Sequence, residues 1–368
     1  MQAVRPRQAR AARDFSASQS RLPDAVHARI LEDIGPVRAA GSVLTLPFTG
    51  ARFRTIRAAA EEHLRTLLDI SDDFAVLFLQ GGASAQFGLV PMNLAPPGAV
   101  ADYVETGYWS RKAMDAAVGA VRVATAASSA QGGFDHVPPP ADWRLTPGAA
   151  YVHVTDNETG DGVEHPDAPP TLPVPLVSDM TSNFLTRRVR LTAHGVIYAG
   201  AQKNLGVAGL TVVLVRRDLL GRAHAFTPAP FDYTQQDAAC SMVNTPPTFA
   251  IYVAGLVFEW LLGQGGLPAM ETAARSRSEA LYAAIDGSEG FYRCRVQRAY
   301  RSRVSVCFDL ADASLTPLFL LAAREEGLDG LAGHSRIGGL RAGLYNAVSQ
   351  EDVAVLAEFM GDFRRRFQ

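Results

Sequence analysis

Lysine is almost missing from this chain: of its 35 basic residues only Lys112 and Lys203 are lysines, and the remainder are arginines. Cysteine is scarce as well. Cys240, Cys294 and Cys307 are too few and too scattered for a disulfide framework or a metal-ligand cluster. No apolar run reaches the roughly 18 residues a membrane helix needs. The Arg-rich start, Met1 to Arg13, lacks the apolar segment of a secretory signal. A cytoplasmic location is therefore expected, with no membrane partner. A surplus of positive charge is also absent. Lysines and arginines number 35 against 37 aspartates and glutamates, a formal charge of -2, whereas nucleic-acid binding rests on excess basic charge. Hydrophobic residues at 48% and charged residues at 20% exclude disorder and low-complexity scaffolds.

What is present is enough for a large core. A chain of 368 residues suggests about two or three domains and needs no cross-links to bury its interior. Short apolar stretches at Ala75–Leu79, Val100–Val104, Ala150–Val154, Leu176–Asp179, Val196–Ala199 and Leu210–Val215 read as buried strands. Helical spacing over Arg54–Leu68, from Gln86, and over Phe249–Leu262 alternates with them. This order predicts an α/β fold, a mainly parallel sheet covered on both faces. Segments 128–148 and 156–175, rich in Gly, Pro and Asp, read as loops. A helix over Leu267–Ile285, a strand near Arg303–Leu310 and a helix over Leu315–Glu326 suggest a smaller α+β unit. The expected division is a tail at 1–14, a large domain at 15–262 and a small domain at 263–368.

The two lysines carry different information. Lys112 lies beside Arg111 ahead of a helical pattern, where solvent explains it. Lys203 lies in the apolar run from Val196 to Val215, where an unpaired ammonium is costly unless it neutralises or reacts. A neutral amine can form a Schiff base, which a guanidinium cannot do. Two other polar elements fall at strand ends, where open α/β sheets bind ligands. Gln80-Gly-Gly-Ala-Ser84 offers bare amides at a helix start, suited to phosphate. Asp179 closes a strand and can pair with a protonated ring nitrogen. A phosphate cradle, a strand-end Asp and a reactive Lys together describe a pyridoxal 5'-phosphate site, with Trp109 a candidate to stack on the ring. His153, inside a strand, reads as a core histidine.

The motifs Phe78-Leu-Gln-Gly-Gly-Ala-Ser-Ala-Gln-Phe, Ala101-Asp-Tyr-Val-Glu-Thr-Gly-Tyr-Trp-Ser and Tyr151-Val-His-Val-Thr-Asp-Asn-Glu-Thr resemble the phosphoserine aminotransferase family of class V aminotransferases. So do Ile197-Tyr-Ala-Gly-Ala-Gln-Lys-Asn and Asn244-Thr-Pro-Pro-Thr-Phe, and the likeness runs from about Phe15 to the C-terminus. The resemblance implies fold type I of the pyridoxal phosphate enzymes: a three-layer large domain, a small C-terminal domain and a homodimer with shared active sites. It makes Lys203 the Schiff-base lysine, Asp179 the partner of the pyridine nitrogen and Trp109 the stacked residue. Thr159 becomes the donor to the phenolic oxygen. The Ala83 and Ser84 amides and the Gln202 side chain become the phosphate cradle. Asn244 and Thr245 are implied to reach the phosphate from the other subunit.

The substrate end departs from the family pattern. The family reads Gly-His-Arg-Ser-Val-Gly-Gly-Met-Arg near the C-terminus, and this chain reads Gly333-His-Ser-Arg-Ile-Gly-Gly-Leu-Arg341. Arg341 matches the clamp for the substrate α-carboxylate, a bidentate task suited to guanidinium. His334 is kept and Ser335 replaces an arginine; Arg336, which follows, is the nearby cation expected at the substrate's distal end. Pro47-Phe-Thr-Gly50 stands where the family has Ser-His-Arg-Ser, so Phe48 and Thr49 replace a His-Arg pair that helps bind the distal phosphate. The opening Phe-Ser-Ala-Gly-Pro is altered to Phe15-Ser-Ala-Ser-Gln19. The expectation is an aminotransferase acting on an α-amino acid and a 2-oxo acid, with a distal pocket changed from the family's. Two alternatives stay open: the ordinary phosphoserine enzyme of serine biosynthesis, and elimination, replacement or decarboxylation on the same scaffold. A non-enzymatic binding protein sits poorly with an intact Lys203 and Asp179.

Overall fold

Strands of seven residues or fewer, nearly all buried, form the centre of the molecule. The computed structural model describes residues 12–35, 42–166 and 171–368. Residues 1–11 of the expected tail and 167–170 of an expected loop lie outside the described residues. In chain order, β1 (Arg13–Asp14), α1 (Asp24–Ile34) and α2 (Ala51–Leu68) precede β2 (Phe74–Gln80), α3 (Gln86–Leu94), β3 (Val100–Glu105) and α4 (Tyr108–Ala117). Then come β4 (Arg122–Ser128), β5 (Val152–Thr155), β6 (Asn157–Glu158), β7 (Val163–Glu164), β8 (Leu176–Asp179) and β9 (Val196–Gly200). The short α5 (Ala201–Asn204), β10 (Leu210–Arg216), α6 (Tyr233–Ala238), α7 (Thr248–Gly263) and α8 (Gly266–Asp286) follow. Last are β11 (Tyr292–Arg293), β12 (Ser305–Leu310), α9 (Thr316–Glu325), β13 (Leu328–Asp329), β14 (Ala332–His334), β15 (Gly338–Gly343) and α10 (Gln350–Phe367).

Seven strands form one sheet in the order β2-β10-β9-β8-β5-β3-β4. From β9 outward to β4 every pairing is parallel, and β10 runs antiparallel to both neighbours. The period of two assigns the faces. On β2, Val76 and Phe78 join the core under α2 and α7, while Ala75, Leu77 and Leu79 join the core under α3 and α4. The sheet is therefore the middle of three layers. On one face α2 and α7 lie very close. A Cβ on Gly255 would stand 3.2 Å from the Ala60 Cβ, so the crossing depends on a glycine there. No single helix among the described residues is long and apolar enough to cross a membrane; α7 and α8 are bent 85° apart.

A second, four-stranded sheet, β11-β12-β15-β14, carries its own core with α9 and α10. Helix α8 spans both cores: Leu267 and Met270 pack with the large sheet, and Leu281, Tyr282 and Ile285 with the small one. Three features differ from the sequence reading. Arg13 and Asp14, read as the end of a tail, are a strand parallel to β13, and Phe15 is 1% exposed in the second core. Edge strand β4 has alternating small and polar residues rather than an apolar run, so it gives no strand signal. Segment 156–175, read as loop, contains the buried strands β6 and β7 of a hairpin, whose Asn157, Glu158 and Glu164 side chains bond to other elements.

The docking of the N-terminal segment has a measurable consequence. Replacing Phe15 with Ala should cost about 3–5 kcal/mol of unfolding free energy by denaturant titration, the range for emptying an aromatic site in a closed core. A loss below about 1 kcal/mol would mean the segment is not part of that core.

Candidate active site

Strands β2, β3, β5, β8 and β9 share one direction, so their C-terminal ends lie along one edge of the sheet. Gln80 is followed by the turn that starts α3, Glu105 by α4, Thr155 by the hairpin, Asp179 by Thr181, and Gly200 by α5. These five connections converge on a cavity of about 410 Å³, within the usual range for a small-molecule site. Its wall contains Ala83, Ser84, Trp109, Thr159, Asp179, Gln202, Lys203, His334 and Arg341. The cofactor residues expected within one protomer are thus together, with two of the substrate residues. A larger apolar hollow of about 780 Å³ lies away from them, between Leu94, Leu145 and Pro175, and holds none of this chemistry.

Lys203 is held inside the four-residue α5, which begins where β9 ends. Its Nζ donates to Thr159 Oγ1 at 2.5 Å and lies 5.6 Å from the centre of the Trp109 ring. Burial lowers the amine to about 8, against a partial upward pull from Asp179; Arg341 adds to the lowering. Asp179 is buried too, and burial raises its carboxyl above the ordinary range, opposed by Thr181 and Lys203. The Thr181 N–H and Oγ1 both donate to Asp179 Oδ1, at 2.9 and 2.6 Å, which fixes the carboxylate plane. Arg341, on β15, donates through Nη1 to the Thr159 carbonyl at 3.1 Å. Its Nε and the Trp109 Nε1 are buried without a protein partner.

Gln202 turns back over its own strand end, so a Cβ on Gly200 would meet Gln202 Oε1 at 2.8 Å. His334 stacks on Tyr108 at 4.4 Å between ring centres. Burial, then Arg341, Lys203 and Arg336, push its imidazole below its usual pKa, so the ring is neutral near pH 7. His153 is a core residue as read: Nε2 meets the Tyr198 hydroxyl at 2.8 Å, and burial lowers the ring to about 3.

Five expected substrate or cofactor positions stand apart from this cavity. The Phe48 side chain packs on the core under α2 and α7, and Thr49 is exposed at the start of α2. Arg336 is exposed at the turn between β14 and β15. All three sit on loops rather than on a strand end facing this cavity. Asn244 accepts from Gln236 at 3.4 Å, and Thr245 is exposed; neither is part of their own protomer's cavity wall. Conversely, Ala17, Ser18, Ser182 and Asn157 are on the wall although no role was read for them. The altered stretch Phe15–Gln19 was the available signal for Ala17 and Ser18. Asn157 and Ser182 bond to each other at 2.7 Å across 25 residues, a pairing no local pattern shows.

Comparison with known proteins agrees with this geometry. The profile of the aminotransferase class-V family matches residues 15–356. The phosphoserine aminotransferase of Stenotrophomonas maltophilia is 45% identical over 354 residues, covering 96% of this chain and 98% of that one. The crystal structure of the phosphoserine aminotransferase from Bacillus circulans subsp. alkalophilus superposes with a TM-score of 0.93 at 38% identity, covering 96% of this chain and 98% of that one. A pyridoxal phosphate-bound phosphoserine aminotransferase from Trichomonas vaginalis gives 0.89 at 36%, covering 95% and 99%. The family and fold type expected from the motifs are thereby borne out.

The depressed amine yields a pH test on the protein freed of ligands. Folded Lys203 titrates near 8 and the unfolded side chain near 10.5. Between those values the unfolded chain binds more protons, so this group makes stability rise with pH across that window. The unfolding free energy of the wild type minus that of Lys203→Met should therefore climb from pH 8 toward 10.5, by at most about 1.4 kcal/mol per pH unit. A flat difference would mean the amine keeps its ordinary pKa.

Proposed function

Because the chain belongs to the class-V aminotransferases and, among them, to the phosphoserine aminotransferase family, we propose that it uses pyridoxal 5'-phosphate at the sheet-edge cavity to move an amino group between an α-amino acid and a 2-oxo acid whose far end is not a phosphate. We place it in the cytoplasm as a homodimer. The observation that carries the cofactor reading is the buried Lys203 amine, 5.6 Å from the Trp109 ring centre and beside Asp179. The residues fit the group: an indole face for a flat ring, a carboxylate for a ring nitrogen, and a helix start at Ala83 and Ser84 for a phosphate. Bound there, the cofactor supplies a sink for the electrons left when an amino acid loses its α-proton.

The chain's own residues do the rest. Lys203, with its amine lowered to about 8, is neutral often enough near pH 7–8 to accept a proton and return it at a neighbouring carbon. Thr159 Oγ1, which receives the Lys203 donor at 2.5 Å, parks the amine at the cavity wall. Asp179, its Oδ1 held by Thr181, presents its carboxylate without freedom to rotate. Arg341, anchored on the Thr159 carbonyl and part of the cavity wall, is the cation that would take a substrate carboxylate.

The specificity reading rests on what surrounds His334. Ser335 and Ser18 line that end of the cavity, and Arg336 does not. His334 is held neutral, so Arg341 and Lys203 are the wall's cations, and both have tasks at the α-carbon. Phe48 and Thr49 are not on this cavity's wall, and neither carries charge. A second reading, the ordinary enzyme acting on 3-phosphohydroxypyruvate and glutamate, is favoured by 45% identity along nearly the full length of a relative named phosphoserine aminotransferase.

Steady-state assay of a panel of amino donors decides between them. Phosphoserine should be outrun in kcat/KM by a donor lacking a distal phosphate. The triple change Phe48→His, Thr49→Arg and Ser335→Arg should shift preference toward phosphoserine, each restored charged bond being worth roughly 1.5–3 kcal/mol. Phosphoserine turned over as well as any other donor by the unmodified protein would establish the ordinary enzyme instead. For the shared site, Asn244→Ala should loosen cofactor binding and shift sedimentation toward monomer. A fully active monomer at assay concentration would contradict the dimer.

A further inference from the structure

Two acids, the buried Glu158 and the half-buried Asp161, lie next to the site without a part in the chemistry above. Glu158, at the end of β6, accepts from the main-chain N–H groups of Trp109 and Ser110, each at 2.8 Å. Asp161 accepts from the Tyr108 N–H at 3.0 Å. Together they occupy the first three amide groups of α4, donors that a helix start otherwise leaves unpaired. The contact is close enough to exclude any side chain at Gly107. A Cβ there would stand 2.5 Å from Asp161 Oδ2 and 2.7 Å from Glu158 Cδ. Burial, and for Glu158 the facing Asp161, raise both carboxyls above the ordinary range. Arg111, Arg295 and Arg341 pull Asp161 the other way. A pair this costly to bury needs a return other than capping one ten-residue helix on the surface.

That return is the residue being held. Trp109 is the second residue of α4, and its ring is a wall of the cavity, with an indole N–H buried and unpartnered. The residue after Glu158 is Thr159, whose hydroxyl receives Lys203 and whose carbonyl receives Arg341. We propose that Glu158 and Asp161 are positioning residues that fix the start of α4 to the hairpin, and so set the Trp109 ring plane relative to the Lys203 amine and the cofactor. The device ties the stacking residue to the same short segment that orients the amine and the carboxylate clamp. This inference rests on the cofactor reading above.

A double-mutant cycle on the holoenzyme tests it, with the pyridoxal phosphate dissociation constant and the visible circular dichroism of the bound cofactor as readouts. Trp109→Ala removes the ring but keeps the main-chain donor to Glu158. Glu158→Gln should raise the dissociation constant roughly ten- to a hundredfold, as expected when a buried N–H loses its acceptor, and change the dichroism. Once Trp109→Ala is present, the same change should add no more than about twofold, because both act through one ring. If Glu158→Gln weakens binding equally with and without the Trp109 ring, the acids only stabilise the fold and the proposal is wrong. Should Glu158→Gln fail to fold, Asp161→Asn, which breaks the single bond to Tyr108, carries the same two outcomes. A wild-type protein that binds no pyridoxal phosphate would overturn the cofactor reading itself, a result distinct from an additive cycle.

Discussion

The buried hairpin β6–β7 is the constraint on which the site depends. Its residues have almost no solvent to satisfy them, so each polar group must find a partner in another element. Asn157 bonds Ser182, beyond β8. Glu158 holds α4. Thr159 receives Lys203 from α5 and Arg341 from the second sheet. Glu164 takes Arg303 at 2.8 Å, ahead of β12. One short segment thereby joins both sheets and two helices, and the site geometry is a by-product of its need for hydrogen bonds.

The same burial sets the chemistry. An ammonium at Lys203 would sit among Arg341, a neutral imidazole and an indole face, with only Asp179 and the acids nearby to offset it. Desolvation wins, and the amine is lowered to about 8. At Asp179 desolvation disfavours charge too and so moves the pKa the other way, upward, yet two Thr181 donors and Lys203 favour the carboxylate. Acid and amine keep one another partly ionised in a place that disfavours both charges. A chain that uses arginine nearly everywhere else retains a lysine here because guanidinium never neutralises in a protein.

Strand-end chemistry was legible in the sequence, and surface geometry was not. Lys203, Asp179 and Gly81-Gly-Ala-Ser84 announce themselves because a charged or bare-backbone group at the end of an apolar strand has few structural excuses. The strands themselves were readable where both faces are buried, as at Leu210–Val215, and unreadable at β4, whose edge position tolerates Arg122 and Thr125. The hairpin was hidden because its polar residues mimic a loop; only tertiary partners make them strand. Phe48, Thr49 and Arg336 were placed by alignment to a motif, and a motif does not say which side chains line this chain's own cavity.

The scarcity of lysine gives the most direct test of the central claim, that Lys203 is the reactive amine of a pyridoxal phosphate site. The protein is loaded with pyridoxal phosphate, reduced with borohydride to fix the cofactor covalently, digested and mapped by mass spectrometry. With only Lys112 and Lys203 able to react among the lysines, the outcome is nearly binary. The account predicts one pyridoxyl group per chain, on the peptide that contains Lys203. Label on Lys112, or on neither lysine, would contradict it.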